Sequence, residues 1–233
     1  MESQKDSMEE VFENPKSIFS TLTRVEKKDL RKNITLVNFS KNEFIFTEGE
    51  KPANFLFLKE GKVIIFKQGF GGREQILRMI KPLGIIGYRA LLASESHIGS
   101  ALAIEDSIVC KISSGYLYDK LLKNPDFSLR LLQIVSRELG FSNLRTVNLT
   151  QKHLRGRLAE SLLLLKEKYG WENDGATLKV YLSRIDLAHL SNMTHTNAIR
   201  TMTIFAAEKV IALDGRKIRI LNLQQLEKIS QQG

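Results

Sequence analysis

The sequence predicts an α+β protein in which a strand-rich N-terminal part, a long helix and a C-terminal winged helix-turn-helix follow one another. Three observations support this. Short apolar runs separated by glycines fill residues 37–112. One uninterrupted stretch with helical apolar spacing covers residues 124–150. Two short helix patterns, a tight turn and two short strand patterns follow it. The predicted domains are therefore residues 1–123, 124–150 and 151–233.

Composition limits the class of protein. The 233 residues are 42% hydrophobic, enough for a sizeable core, and carry a net charge of +9. A basic excess favours an anionic partner such as nucleic acid, although many basic proteins bind none. The single cysteine, Cys110, excludes an internal disulfide framework and a four-cysteine metal cluster supplied by one chain. Its place in an apolar run predicts a small buried side chain in a strand.

Location and enzymatic activity can also be judged from the sequence. The N-terminus is acidic and polar, so we expect no signal peptide. No apolar run approaches the ~20 residues that a membrane span needs. We therefore expect a cytoplasmic protein without a membrane partner. No Ser/His/Asp set, phosphate loop or metal-ligand cluster is visible, which argues against an enzyme.

The N-terminal part begins with short helices, because residues 15–36 have helical apolar spacing. The stretch NFLFLKEGKVIIFKQGFGGREQILRMI then alternates between strands and turns. Its GFGG tip suits a hairpin, since glycine tolerates a positive φ. Many short strands at this spacing predict a small antiparallel barrel or sandwich.

The long helix is expected to begin with Asn124 as N-cap and Pro125 at the first helical position. Along it, a narrow stripe repeats at intervals of three and four residues. The stripe consists of Leu132, Val135, Leu139, Ser142, Thr146 and Leu149. Such a stripe is typical of a seam between two helices, and this helix outruns a small barrel, so we expect a homodimer. The alternative is an ordinary helix packed on its own barrel.

The C-terminal part contains a helix that ends at Gly170, the predicted strand TLKVYL and then a helix-turn-helix. Ser183 and Thr194 are the expected helix caps, and Asn192 suits the turn between the helices because it tolerates a left-handed conformation. The expected inward residues are Ile185, Ala188, Leu190, Ala198, Met202 and Phe205. The stretch VIALDGRKIRIL predicts a two-stranded wing. Residues 151–233 also carry the largest basic excess per residue, with 13 Lys and Arg against 8 Asp and Glu.

These features resemble the family of the cyclic-AMP receptor and the fumarate-nitrate regulator. The resemblance covers nearly the whole chain and rests on GKVIIFKQGFGGREQILRMIKPLGIIG, on the NPD that opens the long helix and on the winged helix-turn-helix. It implies a cyclic-nucleotide-binding-like jelly-roll barrel, a dimerisation helix and a DNA-binding domain. It further implies a homodimeric transcription regulator that binds two-fold symmetric double-stranded DNA and contacts RNA polymerase.

By matched position, the second helix of the motif lies in the major groove. His195, Thr196 and Arg200 would then face base edges, and Thr194 and Asn197 would hold phosphates. His195-Thr196 stands where the family often has Arg-Glu, so we expect a different operator at those base pairs. For His195 the alternative is an exposed polar residue that contacts no base. Arg155, Arg216 and Lys217 are general phosphate candidates, with a solvated face as the alternative for each.

The resemblance is weaker in the sensor domain. Cyclic-nucleotide members bind the ribose with a Gly-Glu pair and the phosphate with an Arg-Ser pair. Here Gly87 is followed by Tyr88, and Ser100 is preceded by Gly99. Because a buried phosphate without its arginine is uncompensated, we expect an effector other than cyclic AMP. Arg89 is expected to point to the other face of its turn. Two further positions match ligand-base contacts on the long helix, Ser142 and Asn143.

Three states of the sensor therefore stay open. It binds a less anionic small molecule; or it binds haem with His97 as ligand, although a lone histidine is usually a surface residue; or Ile85, Ile86 and Tyr88 fill the pocket and no ligand is needed. An oxygen-labile iron–sulfur cluster is excluded, because the N-terminal cysteines that such members use are absent. An alternative function is a ligand-binding or interaction module that has lost specific DNA binding.

Overall fold

The computed structural model describes residues 8–233, which form two compact units. The first contains the described residues up to Gln68 together with Leu77–Leu139, and the second contains Gly69–Ile76 and Gly140–Gly233. The α-helices are α1 (Glu9–Glu13), α2 (Arg24–Lys32), α3 (Tyr88–Ala93), α4 (Ser114–Asp119), α5 (Pro125–Gln151), α6 (Leu154–Tyr169), α7 (Arg184–Leu190), α8 (His195–Ala207) and α9 (Leu223–Gln232). The strands are β1 (Ile34–Phe39), β2 (Phe44–Phe46), β3 (Asn54–Glu60), β4 (Val63–Gln68), β5 (Glu74–Ile80), β6 (Ile85–Ile86), β7 (Ser100–Ala103), β8 (Ser107–Ser113), β9 (Ile211–Asp214) and β10 (Lys217–Ile220).

Two four-stranded sheets form the body of the first unit. Their strand orders are β1-β8-β3-β6 and β2-β7-β4-β5, and β1 and β3 both pair antiparallel with β8, while β2 and β4 both pair antiparallel with β7. Leu58 and Val109 from one sheet and Val63 and Ala101 from the other are fully buried in a common core. This arrangement confirms the predicted α+β class with an antiparallel strand-rich N-terminal domain. Within residues 8–233, no helix combines the length and the apolar character needed to cross a bilayer.

A second core cluster joins the short N-terminal helices to the sheets and to the start of α5. Phe19 lies 4.8 Å from Phe57 and 6.3 Å from Phe127, measured between ring centroids. Cys110 is also fully buried there, with its sulfur 3.6 Å from that of Met8. Burial raises the pKa of the Cys110 thiol to about 12. The prediction of a small buried side chain is confirmed.

The long helix begins where the sequence predicts. The Asn124 side-chain oxygen accepts a hydrogen bond from the Phe127 amide at 3.0 Å, and Pro125 is the first helical residue. Leu132 and Leu139, two residues of the predicted stripe, are each 62% exposed in the single chain. Val135, by contrast, packs partly against the core of its own unit. One side of the helix therefore packs on the core of its own unit, and leucines on another side are exposed.

The second unit differs from prediction between α6 and α7. Gly170, with φ +74°, ends α6 as expected. The predicted strand over residues 177–182 is wrong, because it is reduced to isolated bridges at Thr177 and Leu178. The Leu178 amide donates to the Ile218 carbonyl at 3.0 Å, so only a few residues of the segment contact β10 before Ser183 caps α7. Strands β9 and β10 form the predicted two-stranded wing.

Candidate nucleic-acid interface and sensor site

Local hydrogen bonds define both helices of the helix-turn-helix. The Ser183 hydroxyl accepts from the Asp186 amide at 3.0 Å, and the Asp186 carboxylate accepts from the Ser183 amide at 3.0 Å, which is a capping box. The Thr194 hydroxyl accepts from the Asn197 amide at 3.2 Å and caps α8. Asn192 has φ +49° in the turn between the helices. The predicted caps and the predicted turn residue are confirmed.

The inward face of the motif is confirmed except at one residue. Ala188, Leu190, Ala198, Met202 and Phe205 are all at most 1% exposed. Ile185 is 49% exposed, so its predicted inward position is wrong. Leu187 takes that place and is fully buried, because the inward face of the short helix α7 passes through Leu187 and Leu190 rather than through its first turn.

Two arginines outside the motif donate hydrogen bonds to backbone carbonyls at the turn between its helices. Arg145 on α5 donates to the Leu190 carbonyl at 2.8 Å, and Arg157 on α6 donates to the Asn192 carbonyl at 2.7 Å. Burial lowers the pKa of Arg145 to about 10, so it stays charged at neutral pH. Hydrogen bonds from a charged donor are stronger than neutral ones. The sequence analysis did not identify these two residues, which fix the turn that places α8.

The predicted base-reading side chains all belong to α8 and face solvent. His195, Thr196 and Arg200 are all exposed. In the part of the chain that the structure describes, no hydrogen bond or ion pair holds any of the three side chains. Thr194 is exposed at the start of the helix and Asn197 is half-buried beside it. The outer face thus presents free donors and acceptors next to amide groups at a helix N-terminus, an arrangement suited to anions.

The three general phosphate candidates differ in their surroundings. Arg216 and Lys217 are exposed at the turn of the wing. Arg155 instead forms two hydrogen bonds with the Glu208 carboxylate, at 2.8 and 2.7 Å, which raise its pKa. The guanidinium of Arg155 also lies 5.3 Å from the centroid of the Phe205 ring. Arg155 would have to break its ion pair with Glu208 to bind a phosphate.

In the first unit, His97 fills the space beside Gly87. The imidazole stacks on the Phe46 ring, with centroids 3.5 Å apart, and is only 7% exposed. A Cβ atom on Gly87 would lie 2.8 Å from both rings, and Gly87 has φ +66°. The expectation of a surface histidine is therefore wrong. No group of three or more His, Cys, Asp or Glu side chains suited to a metal ion occurs among residues 8–233.

Tyr88, at the position expected for a ribose-binding carboxylate, is engaged by the protein itself. It is 7% exposed, and its phenolic oxygen accepts a hydrogen bond from Arg78. Burial raises the pKa of Tyr88, so it stays neutral. The same Arg78 side chain lies 3.2 Å from the Glu138 carboxylate on α5. A three-residue bridge therefore joins α3, β5 and α5 inside the first unit.

The remaining predicted effector residues do not converge on a phosphate site. Gly99 is buried against β4, and Ser100 accepts a hydrogen bond from the Glu48 amide at 3.0 Å. Arg89 is paired with Glu95 at 2.6 Å, and its side chain is 42% exposed. Ser142 and Asn143 are both exposed on α5. Ile85 and Ile86 are buried, in two different core clusters.

Comparisons with known proteins agree with this geometry. Residues 36–124 match the cyclic nucleotide-binding domain, and residues 156–229 match the Crp-like helix-turn-helix domain. A CRP-like cAMP-activated global transcriptional regulator from Mycobacterium tuberculosis (strain ATCC 25618 / H37Rv) is 24% identical over 200 residues, which are 85% of this chain and 89% of that protein. Transcriptional activator protein Anr from Pseudomonas protegens is 26% identical over 187 residues, 80% and 76% of the two chains.

A solved structure shows the same fold. FixK2 from Bradyrhizobium japonicum superimposes with a TM-score of 0.75 at 22% identity, covering 84% of this chain and 96% of that one. The two domain matches occur in the same order as the strand-rich unit and the helix-turn-helix described above. The chain therefore belongs to the CRP/FNR family of transcription regulators and carries the helix-turn-helix DNA-binding domain of that family.

Proposed function

We propose that this regulator works as a homodimer, that it reads two-fold symmetric DNA with the outer face of α8, and that its effector is not cyclic AMP. One observation supports the DNA-reading role above all others. The motif is fixed from behind by Arg145 and Arg157, while His195, Thr196 and Arg200 face solvent without a partner in the described chain. Side chains that are free to bond, on a helix whose preceding turn is fixed, are what base recognition requires.

The proposed contacts divide into base readers and phosphate holders. Arg200 has the fork geometry to bind O6 and N7 of a guanine, and His195 and Thr196 read neighbouring base edges. Thr194 and Asn197 hold a phosphate at the N-terminus of α8. Arg216 and Lys217 hold a second phosphate from the wing, which is exposed. Bound in this way to the chromosome in the cytoplasm, the protein would act on RNA polymerase.

The dimer is proposed to form along α5. Leu132 and Leu139, which belong to the predicted stripe, are each 62% exposed in the single chain. An apolar row on a 27-residue helix is costly to leave in water and is typical of a helix–helix seam. Two copies related by a two-fold axis would present two α8 helices about 34 Å apart, one turn of duplex DNA.

The sensor unit supports an effector of different chemistry from cyclic AMP. The Mycobacterium tuberculosis relative is named as cAMP-activated. In this chain, however, the position of the ribose carboxylate holds the neutral Tyr88, already bonded to Arg78. The position of the phosphate arginine holds Gly99, and the nearby Arg89 is paired with Glu95. One possibility is an effector that is less anionic than a nucleotide phosphate. The other is that no ligand binds and the bridge of Tyr88, Arg78 and Glu138 occupies its place.

The test combines native mass spectrometry of the purified protein with selection of binding sites from a random duplex pool. We expect a dimer mass without cyclic AMP and a selected site with two inverted half-sites. A protein that is monomeric at micromolar concentration would contradict the dimer. A protein that retards all duplexes equally in a mobility-shift assay would contradict sequence-specific reading by α8.

A further inference from the structure

The exposed face of α8 is a single stripe that contains an unexpected side chain. Its members are spaced i, i+3, i+4 and i+7 and therefore line one side of the helix. They are Thr196, Ile199, Arg200 and Thr203, all of them exposed. The opposite side holds the buried residues Ala198, Thr201, Met202 and Phe205.

Ile199 is the apolar member of this stripe, at 43% exposure. Helix stability does not account for it, because a β-branched residue is a weaker helix former than alanine, and Ile199 is not one of the buried residues of α8. Its neighbour Thr203 uses its hydroxyl to donate to the Ile199 carbonyl at 3.0 Å. The stripe thus places an apolar surface next to the guanidinium of Arg200.

We propose that Ile199 is a specificity-determining residue that reads a thymine through its 5-methyl group, close to the base that Arg200 contacts. The inference rests on the proposed role of α8 in reading DNA. In the major groove, a thymine presents a methyl group that no other base carries at that edge, and apolar side chains recognise it by contact. Isoleucine has neither donor nor acceptor, so contact with the methyl group is the means by which it can distinguish bases.

The test removes the methyl group and the side chain separately. Sites are first selected from a random duplex pool with the full-length protein. Each thymine of the selected half-site is then replaced by deoxyuridine, which lacks only the methyl group. Dissociation constants are measured for the wild type and for Ile199→Ala. The matched control is Ile185→Ala, which removes an isoleucine of similar exposure, 49%, from the neighbouring helix α7.

For the wild type we expect deoxyuridine at one position to weaken binding about three- to tenfold, the scale of one buried methyl group. In Ile199→Ala that ratio should fall to about one, while Ile185→Ala should keep it. Since Ile199 is exposed, Ile199→Ala should fold, and its melting curve checks this. The inference is overturned if no thymine methyl group matters or if the ratio persists in Ile199→Ala. Failure to select any specific site would overturn both the inference and the proposed function; a selected site with an unchanged ratio overturns the inference alone.

Discussion

A Cβ atom placed on Gly99 would lie 2.4 Å from the carbonyl oxygen of Phe66. Such a distance is far below van der Waals contact, and the obstacle is the backbone of β4 rather than a flexible side chain. The position where a cyclic-nucleotide receptor needs an arginine is therefore closed to any side chain. Position 99 therefore lacks both the positive charge and the space that a phosphate-binding arginine needs.

Cyclic AMP should not bind at physiological concentrations. Each charged hydrogen bond lost from a buried site costs about 1.5–3 kcal/mol, so two lost contacts weaken binding by a factor of roughly 10² to 10⁴. Titration calorimetry on the wild type measures this. Arg89→Ala is the informative companion, since Arg89 could exchange Glu95 for a phosphate. Micromolar binding to the wild type would refute the prediction, and its loss in Arg89→Ala would identify the replacement arginine.

Gly99→Ala should destabilise the first unit, and Gly115→Ala should not. The added methyl group at position 99 has to displace the backbone of Phe66, and overpacking of this kind costs about 1–3 kcal/mol. A Cβ on Gly115, inside α4, meets nothing within 4 Å, and a helical Gly→Ala change stabilises by roughly 0.5–1 kcal/mol. Urea unfolding of both variants measures the difference. Equal free energies of unfolding for Gly99→Ala and Gly115→Ala would show that the backbone of β4 can move aside without loss of stability.

Leu139→Asp should split the dimer. Leu139 is 62% exposed in the single chain, and a charge without a partner in an apolar seam costs several kcal/mol, about 3–5 for a buried unpaired charge. Leu144→Asp is a matched control, because Leu144 is 68% exposed on the same helix but lies about 140° around it. Sedimentation equilibrium measures both. A Leu144→Asp monomer together with a Leu139→Asp dimer would place the seam on the other side of α5.

Arg200→Ala and Arg216→Ala should weaken DNA binding in different ways. Loss of a bidentate guanine contact should cost about 1–3 kcal/mol and relax one base pair in each half-site. Loss of a phosphate contact from the wing should weaken all sequences alike and reduce the slope of log K against log salt. Fluorescence anisotropy on selected and random duplexes, at several salt concentrations, separates the two. An equal loss on both duplexes for Arg200→Ala would show that it contacts phosphate only.

The stability of the first unit should fall as the pH drops below about 6.5, the ordinary pKa of histidine. Burial lowers the pKa of His97 in the folded chain, with Arg89 acting in the same direction and Glu50 against it. The unfolded chain therefore takes up a proton at a higher pH than the folded one, and stability is lost from pH 6.5 down to the lower folded value.

His97→Phe keeps an aromatic ring on Phe46 and removes this titration, so its melting temperature should change less between pH 7.5 and 5.5 than that of the wild type, by differential scanning calorimetry. His153→Gln, which changes an exposed histidine, should behave as the wild type does. An equal fall in melting temperature between pH 7.5 and 5.5 in His97→Phe and in the wild type would show that other groups set the pH dependence.

Periodicity and capping predicted most of the helix-turn-helix, because both act over a few residues. Thr194, Asn192 and Phe205 were predicted from local spacing and lie where expected. The inward position predicted for Ile185 is wrong, since the orientation of a seven-residue helix depends on what packs across it. The residue types alone also gave no sign that His97 would be buried by Phe46, which lies 51 residues earlier in the chain.

The turn-holding arginines illustrate a second limit. Arg145 and Arg157 look like ordinary charged residues on long helices, and their carbonyl acceptors, at Leu190 and Asn192, lie 45 and 35 residues away. A contact at such a sequence distance leaves no periodic signal. The hydrogen bond from Arg78 to Tyr88 could likewise not be predicted from the sequence, although Tyr88 departs from the family pattern at that position.

The separation of the two sides of α8 affects how such regulators diverge. The bonds from Arg145 and Arg157 reach the turn from behind, and none of them involves the exposed stripe. Exchanges at positions 195, 196, 199 and 200 should therefore leave the free energy of unfolding almost unchanged. A duplicated gene could drift to a new operator through folded intermediates at every step. A library randomised at those four positions should likewise consist mainly of folded proteins, from which regulators that ignore one another's operators can be chosen.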